Sequence, residues 1–228
     1  MLILGIDTSA VTCSVALREN RNMISTRSVT HGMTHSETLL PMISEVLAES
    51  DKKISQLDCI AIAAGPGSFT GLRIGISTVK GLAISQNIPC VSVSTLEGLA
   101  TNARHYEGMT VCALMDARRG EFYQAFFRIE KGKAVRICED RAVNGEKIAE
   151  EMKKESKLII LGDGAEKFVS LFPSYQKYLA PKEIRFQNGE SIAYLGEAGE
   201  LQSCLSLSPT YLRLPQAERE WLEKNKNI

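Results

Sequence analysis

Neither sign of charge is in excess in this 228-residue sequence: Lys plus Arg and Asp plus Glu each number 27. That balance excludes a broad electrostatic footprint for DNA or an anionic membrane and leaves room only for a local basic patch. Long apolar runs are missing too. The longest, residues 59–64 and Leu158–Leu161, fall far short of the ~20 residues that span a bilayer. The opening residues 1–7 carry no basic region and reach a carboxylate at Asp7, unlike a secretory signal. The expected location is cytoplasmic, with no membrane partner. The six cysteines, at 13, 59, 90, 112, 138 and 204, form no C-x-x-C, so free buried thiols are expected rather than a zinc site or disulfides. There are only three histidines. His31 and His35 have H-x-x-x-H spacing, but they make a ligand pair only on one helix. Gly32 separates them, and Thr34-His35-Ser36-Glu37 reads as a capping box that starts the helix after His31; Pro41 can move that start later still and leave both in a loop. His105 stands between Arg104 and Tyr106 with no evident nucleophile. No catalytic residue and no metal ligand is therefore assigned.

What the chain does have is strand and helix in alternation. Residues 2–6 and 12–17 read as a hairpin around Asp7-Thr8-Ser9, with a third strand near 23–29. A helix follows with Leu39, Leu40, Ile43, Val46 and Leu47 at helical spacing. Then come a buried-type strand at 58–64, a helix at 71–85, a strand at 89–93 and a short helix at 95–103. A similar cycle begins near 105: strands at 111–115, 121–129 and 133–138, a helix at 145–154, a strand at Leu158–Leu161 and a helix at 191–201. The pattern predicts an α/β protein of two lobes, an N-terminal lobe over 1–104 and a smaller one over 105–208. A C-terminal segment, 209–228, carries the only Trp, Trp221; it is expected to be helical and to pack back on the lobes, with its charged part from Ala217 either forming a last helix or fraying.

Four segments bear on chemistry, each with two readings. Asp7-Thr8-Ser9 suits a hydrated metal or a phosphate, and equally an ordinary turn. The loop Gly65-Pro66-Gly67-Ser68-Phe69-Thr70-Gly71 joins a strand to a helix, where free N–H groups attract anions. It lacks the Gly-Lys-Ser/Thr ending of a Walker A loop, and Gly71, Gly75 and Gly81 fit close helix packing as well. Gly162-Asp163-Gly164 is either a nucleotide-edge turn or a plain strand-to-helix turn. The cluster from Asp116 to Tyr123 is either a phosphate or RNA contact or a solvated turn with paired charges. Asp7, Thr8, Gly65, Gly67, Gly162, Asp163 and Gly164 are thus the candidate nucleotide-binding positions.

Taken together, Leu4-Gly5-Ile6-Asp7-Thr8-Ser9, His35-Ser36-Glu37-Thr38-Leu39-Leu40-Pro41, the Gly65–Gly75 loop and helix start, Ser92-Val93-Ser94-Thr95-Leu96, Asp116-Ala117-Arg118-Arg119-Gly120-Glu121, and Pro209, Tyr211, Leu212 and Arg213 resemble the TsaB (YeaZ) family across nearly the whole chain. The resemblance implies a two-lobed actin/sugar kinase/Hsp70 ATPase-like, ribonuclease H-like fold. It also implies a part in making threonylcarbamoyladenosine beside the anticodon of tRNAs that read codons starting with A. The larger relative TsaD transfers the threonylcarbamoyl group, and TsaB supports it together with the ATPase TsaE. TsaD carries His-Met-Glu-Gly-His where this chain has Thr95-Leu96-Glu97-Gly98-Leu99, so both metal-binding histidines are replaced. The implied role is a non-catalytic scaffold, with no cofactor of its own, ATP or ADP and metal residing in the partner subunits, and tRNA reached through the complex. The alternative is an independent ATP-using or hydrolytic, peptidase-like enzyme of the same fold. The resemblance places a helical interface, for TsaD or for a second copy in a homodimer, on Leu39, Leu40, Ile43, Leu47, Gly71, Leu72, Gly75, Ile76 and Val79. Burial inside the lobe competes for these residues.

Overall fold

The computed structural model describes residues 1–30, 34–213 and Trp221. Strands β1 (Leu2–Asp7), β2 (Cys13–Glu19) and β3 (Asn22–Val29) form an antiparallel meander. Helix α1 (His35–Glu49) leads to β4 (Cys59–Gly65), which lies parallel to β1; α2 (Phe69–Ile84) leads to β5 (Cys90–Ser94), parallel to β4. The first sheet therefore runs β3-β2-β1-β4-β5. After α3 (Thr95–Thr101) the second sheet follows the same plan in shortened form. In it β6 (Thr110–Asp116) pairs antiparallel with β7 (Glu121–Glu130) and parallel with β10 (Leu158–Leu161). The short strands β8 (Lys133–Arg136) and β9 (Arg141–Asn144) both pair with β7. Helices α4 (Gly145–Met152), α5 (Ala165–Leu171) and α6 (Lys182–Arg185) complete that lobe. This is the two-lobed, ribonuclease H-like arrangement expected from the sequence.

The period-2 alternation of β1, β2 and β4 sorts their side chains onto two faces. Leu4, Ile6, Val15, Leu17, Ile60 and Ile62 pack with Leu39, Ile43, Val46, Ile76 and Val79 of α1 and α2. On the reverse face Ile3, Cys59 and Ala61 pack with Ile192 and Ala193. Those two residues belong to α7 (Gly189–Gly196), which lies on β1, β2 and β4.

Here the structure corrects the lobe boundaries. The chain does not stay in the second lobe to residue 208. It returns to the first at α7, and Cys204 and Leu207 join the core of α1 and α2. Conversely, Leu96, Leu99 and Ala100 of α3 share a core with β6 and β7. Covering both faces of the first sheet requires this return, because α1 and α2 cover only one. Helix α1 begins at His35 with the expected Thr34–Glu37 capping box, and Pro41 lies inside it; His35 is thus helical, not in a loop. The helix expected from 217 lies outside the described residues apart from Trp221, as does His31.

Candidate functional site

Parallel strands of this kind present their carboxyl ends to the crevice between lobes. Asp7 ends β1, Asp116 ends β6, the Gly65–Ser68 loop follows β4, and Gly162-Asp163-Gly164 follows β10. Between them lies a cleft of about 590 Å³, walled by Ser9, Gly67, Phe69, Arg73, Asp116 and Asp163 among others. Asp7 sits behind that wall, 1% exposed. The Ser9 backbone N–H and Oγ–H both donate to its Oδ1, at 2.9 and 2.6 Å. Burial outweighs these two donors, and with Asp163 adding like charge the Asp7 carboxyl is pushed up to about 7. Asp163 is raised as well, chiefly by burial, against a hydrogen bond from Gln187 Nε2 at 2.7 Å. Asp116 accepts from Lys167 Nζ and from the Arg118 N–H, at 2.7 and 2.8 Å.

The candidate nucleotide positions divide. Gly67 and Asp163 line the cleft; Asp7, Thr8, Gly65, Gly162 and Gly164 are not part of its wall. Thr8 is fully buried and its hydroxyl donates to the Gly71 carbonyl at 2.8 Å. Gly65, at φ +124°, faces the Thr210 carbonyl, and Gly162, at φ +108°, faces the Leu114 carbonyl. A Cβ on Gly164 would stand 2.8 Å from the Met115 carbonyl carbon. For these three glycines close packing within the chain accounts for the residue type. At the start of α2 the Ser68 N–H donates to Ser9 O at 2.7 Å, and the Gly71 N–H donates to Ser68 Oγ at 3.3 Å. Residues 209–213 lie against both lobes beside the cleft as a strap, and they are not helical as the C-terminal segment was expected to be. The Thr210 N–H donates to Ala64 O at 2.7 Å, Tyr211 stacks on Phe69 at 4.1 Å between centroids, and Arg213 Nη1 donates to Ala117 O at 2.7 Å. Apart from the family likeness, Pro209-Thr210-Tyr211-Leu212-Arg213 carries no local signal for such a role.

The expected interface residues are corrected on a simple ground. Leu39, Ile43, Leu47, Leu72, Ile76 and Val79 are all less than a tenth exposed and are occupied by the lobe's own core. Gly71 and Gly75 are held small by Thr8, which approaches each of them. Only Leu40, 51% exposed, points outward. The phase of the helix explains this: one residue turns it by ~100°, so Leu40 leaves the stripe on which Leu39, Ile43 and Val46 lie. The outward face of α1 carries Leu40, Pro41 and Ser44, and beside it α2 presents Ser77, Gly81 and Ile84. A Cβ on Gly81 would meet nothing within 4 Å. In a helix interior such a glycine costs about 1 kcal/mol against alanine, and no contact within the chain requires it.

At the start of α3, Thr95 is fully buried with its hydroxyl unpartnered, and Leu99 is 1% exposed among Leu96, Ala100, Val111 and Phe127. Neither a leucine nor its apolar neighbours can ligate a metal. His35 Nε2–H donates to Ala10 O at 2.7 Å. Among the described residues no three His, Cys, Asp or Glu side chains converge as metal ligands, and no described helix is long and apolar enough to cross a membrane.

Comparison with known proteins adds a consistent result. Residues 30–218 match the family model described as TsaD: tRNA N6-adenosine threonylcarbamoyltransferase. The tRNA threonylcarbamoyladenosine biosynthesis protein TsaB of Bacillus subtilis is 32% identical over 99% of this chain and 100% of its own length. The Haemophilus influenzae protein of the same name is 31% identical over 93% and 94%. Among solved structures, YeaZ from Pseudomonas aeruginosa superposes with a TM-score of 0.79 at 27% identity, covering 92% of this chain and all of that one.

Proposed function

The chain belongs to the TsaB family of tRNA threonylcarbamoyladenosine biosynthesis proteins, and from that premise we propose that it is the non-catalytic subunit that binds and supports TsaD during threonylcarbamoyl transfer to tRNA. The observation that carries the reading is the interior at Thr95 and Leu99. There, at the positions that the resemblance matches to the metal-binding histidines of TsaD, Leu99 lies in apolar core and Thr95 is a buried threonine. A chain that keeps the two-lobed frame but has a threonine and a leucine at those two positions contributes by contact rather than by metal chemistry.

The contact surface in this reading is the outward face of α1 and α2. Leu40, Pro41 and Ile84 supply apolar area, while Ser44, Ser77 and Gly81 let a partner helix come close. In this reading the same face serves a homodimer when the chain is alone, so dimer and complex compete for it. Nucleotide and metal belong to the partner subunits, TsaE supplying the ATPase, and tRNA is engaged through the assembly. The alternative of an independent hydrolase or ATP-using enzyme is disfavoured by Ser9, a cleft hydroxyl that donates to Asp7 and is fully buried.

The test is complex formation measured by analytical ultracentrifugation with purified TsaD. Wild type is expected to form a complex. Leu40→Glu/Ser77→Glu is expected to lose it while keeping its near-ultraviolet circular dichroism. An unaltered affinity in the folded double variant would remove α1 and α2 from the interface.

A further inference from the structure

A second groove, of about 610 Å³, lies at the opposite end of the first sheet from the cleft. Strand register fixes its place. Ser14 pairs with Asp7 at the cleft end of β1, whereas Arg18 pairs with Ile3 near its start. On β2 the residues Ser14, Ala16 and Arg18 alternate away from the α1–α2 core and toward α7. There Ser14 Oγ accepts the Gly189 N–H at 2.9 Å, and the Arg18 guanidinium reaches Tyr194 and Glu197. The groove's other wall comes from the second lobe, with Glu97 and Thr101 of α3 and Lys133 and Ala134 of β8.

Three features point to a ligand. Arg18 is 8% exposed, yet its Nε has no hydrogen-bond partner. A buried guanidinium N–H left unpaired costs about 1–3 kcal/mol or more, so the site gains from an acceptor placed there. Second, most local charges cancel in pairs: Arg18 with Glu197 at 3.4 Å, Arg104 with Glu190 at 2.8 Å, and Arg136 with Glu97 at 3.6 Å. Arg21 and Lys133 line the groove from opposite lobes, and neither has an ionic partner among the described residues. Third, the wall between them is apolar and aromatic. Tyr194 holds the Arg18 and Arg104 guanidinium carbons 5.3 and 5.4 Å from its ring centroid, with Leu195 and Ala198 alongside.

We propose that this groove binds a phosphate group, with Arg18 Nε, Arg21 and Lys133 as its donors and Tyr194 and Leu195 flanking the body that carries it. Two exposed cations that line one groove from different lobes, with the Arg18 guanidinium in the same lining, suit a phosphate better than a carboxylate: it offers more acceptor oxygens to several donors at once. The phosphate belongs either to an RNA backbone or to a small phosphate ester. The site does not depend on the partner reading above, because α7 and α1–α2 cover opposite faces of the first sheet. A ligand here leaves the proposed interface free.

The experiment uses the full chain. Inorganic phosphate and AMP are titrated by ¹⁵N NMR, and a labelled unmodified tRNA by fluorescence anisotropy over a range of salt. The variant is Arg21→Glu/Lys133→Glu, both exposed positions, with Arg18→Lys as the second. Phosphate and AMP are expected to shift amides around Arg18, Lys133 and Tyr194, and the double variant to weaken AMP on the order of tenfold. If the source is RNA, the same variant weakens tRNA, inorganic phosphate competes, and the slope of log affinity against log salt falls by about one for each backbone phosphate no longer held. If the source is a small ester, AMP binds while tRNA affinity is the same in variant and wild type. The proposal is overturned if neither phosphate nor AMP moves those amides at millimolar concentration and tRNA is indifferent to the variants. It is equally overturned if an acidic peptide occupies the groove and phosphate does not.

Discussion

Replacing Ile43 and Leu40 separately by alanine distinguishes the two faces of α1. Ile43 is 3% exposed and packs between α2 and the strands of the first sheet. Truncating such a side chain loses its transfer free energy and leaves a cavity, about 3 kcal/mol together. For a chain of this length that lowers Tm by roughly 6–12 °C. Leu40 is 51% exposed, and an exposed truncation stays within about 0.5 kcal/mol, or under ~2 °C. The effect on assembly is expected to run the other way. Leu40→Ala weakens binding to TsaD or to a second copy, while Ile43→Ala, where still folded, binds as wild type. Differential scanning calorimetry of both variants, followed by the binding assay, checks the pair. Equal melting losses at the two positions would mean that α1 is rotated from the orientation described, and the proposed interface would fall with it.

Four other expectations rest on single residues. The Asp7 carboxyl, raised by burial from 3.8 to about 7, remains protonated in the folded chain after it has ionised in the unfolded one. Its contribution is fully present below the unfolded value and is lost as pH rises toward 7. Asp7→Asn keeps an acceptor for Ser9, so it should flatten by a few kcal/mol the wild-type fall in unfolding free energy, read from urea titrations between about pH 4 and 7; an identical pH profile in the variant refutes this. Thr95→Val removes a buried, unpartnered hydroxyl and should leave stability unchanged or raise it by about 1 kcal/mol, with modification activity intact; a loss of activity would give Thr95 a chemical role. Gly162→Ala should cost several kcal/mol or abolish soluble expression, since φ is +108° and the Leu114 carbonyl occupies the space; a wild-type melt contradicts it. Gly81→Ala, in open space, should stabilise the isolated chain by about 1 kcal/mol and weaken assembly, and unchanged assembly would show that no partner helix comes close at that point.

The fold was readable in the sequence wherever pattern and turn chemistry agreed. Residues 59–64 are apolar throughout because β4 is buried on both faces, and the Thr34–Glu37 box marked a helix start that Pro41 left open, a residue that α1 carries inside its second turn. The return of the chain to the first lobe was not readable. Nothing local in Gly189–Gly196 tells which sheet it covers, because that choice is made by the unfilled face of β1 and β4. The site was harder for the same reason. A glycine that meets a carbonyl of its own chain, as at 65 and 162, has the same sequence signature as one that cradles a phosphate. A leucine one position off the buried stripe looks like its neighbours until the helix phase is fixed. The second groove had no motif at all, since Arg18, Arg21, Lys133 and Tyr194 come together only in three dimensions.

The most direct test of the central claim is threonylcarbamoylation of tRNA in a reconstituted system containing TsaD and TsaE, with this chain omitted, added as wild type, or added as Leu40→Glu/Ser77→Glu. Modification is expected to require the wild type and to fail with the folded double variant, while Thr95→Val supports it fully. Equal modification with the chain left out would contradict that claim.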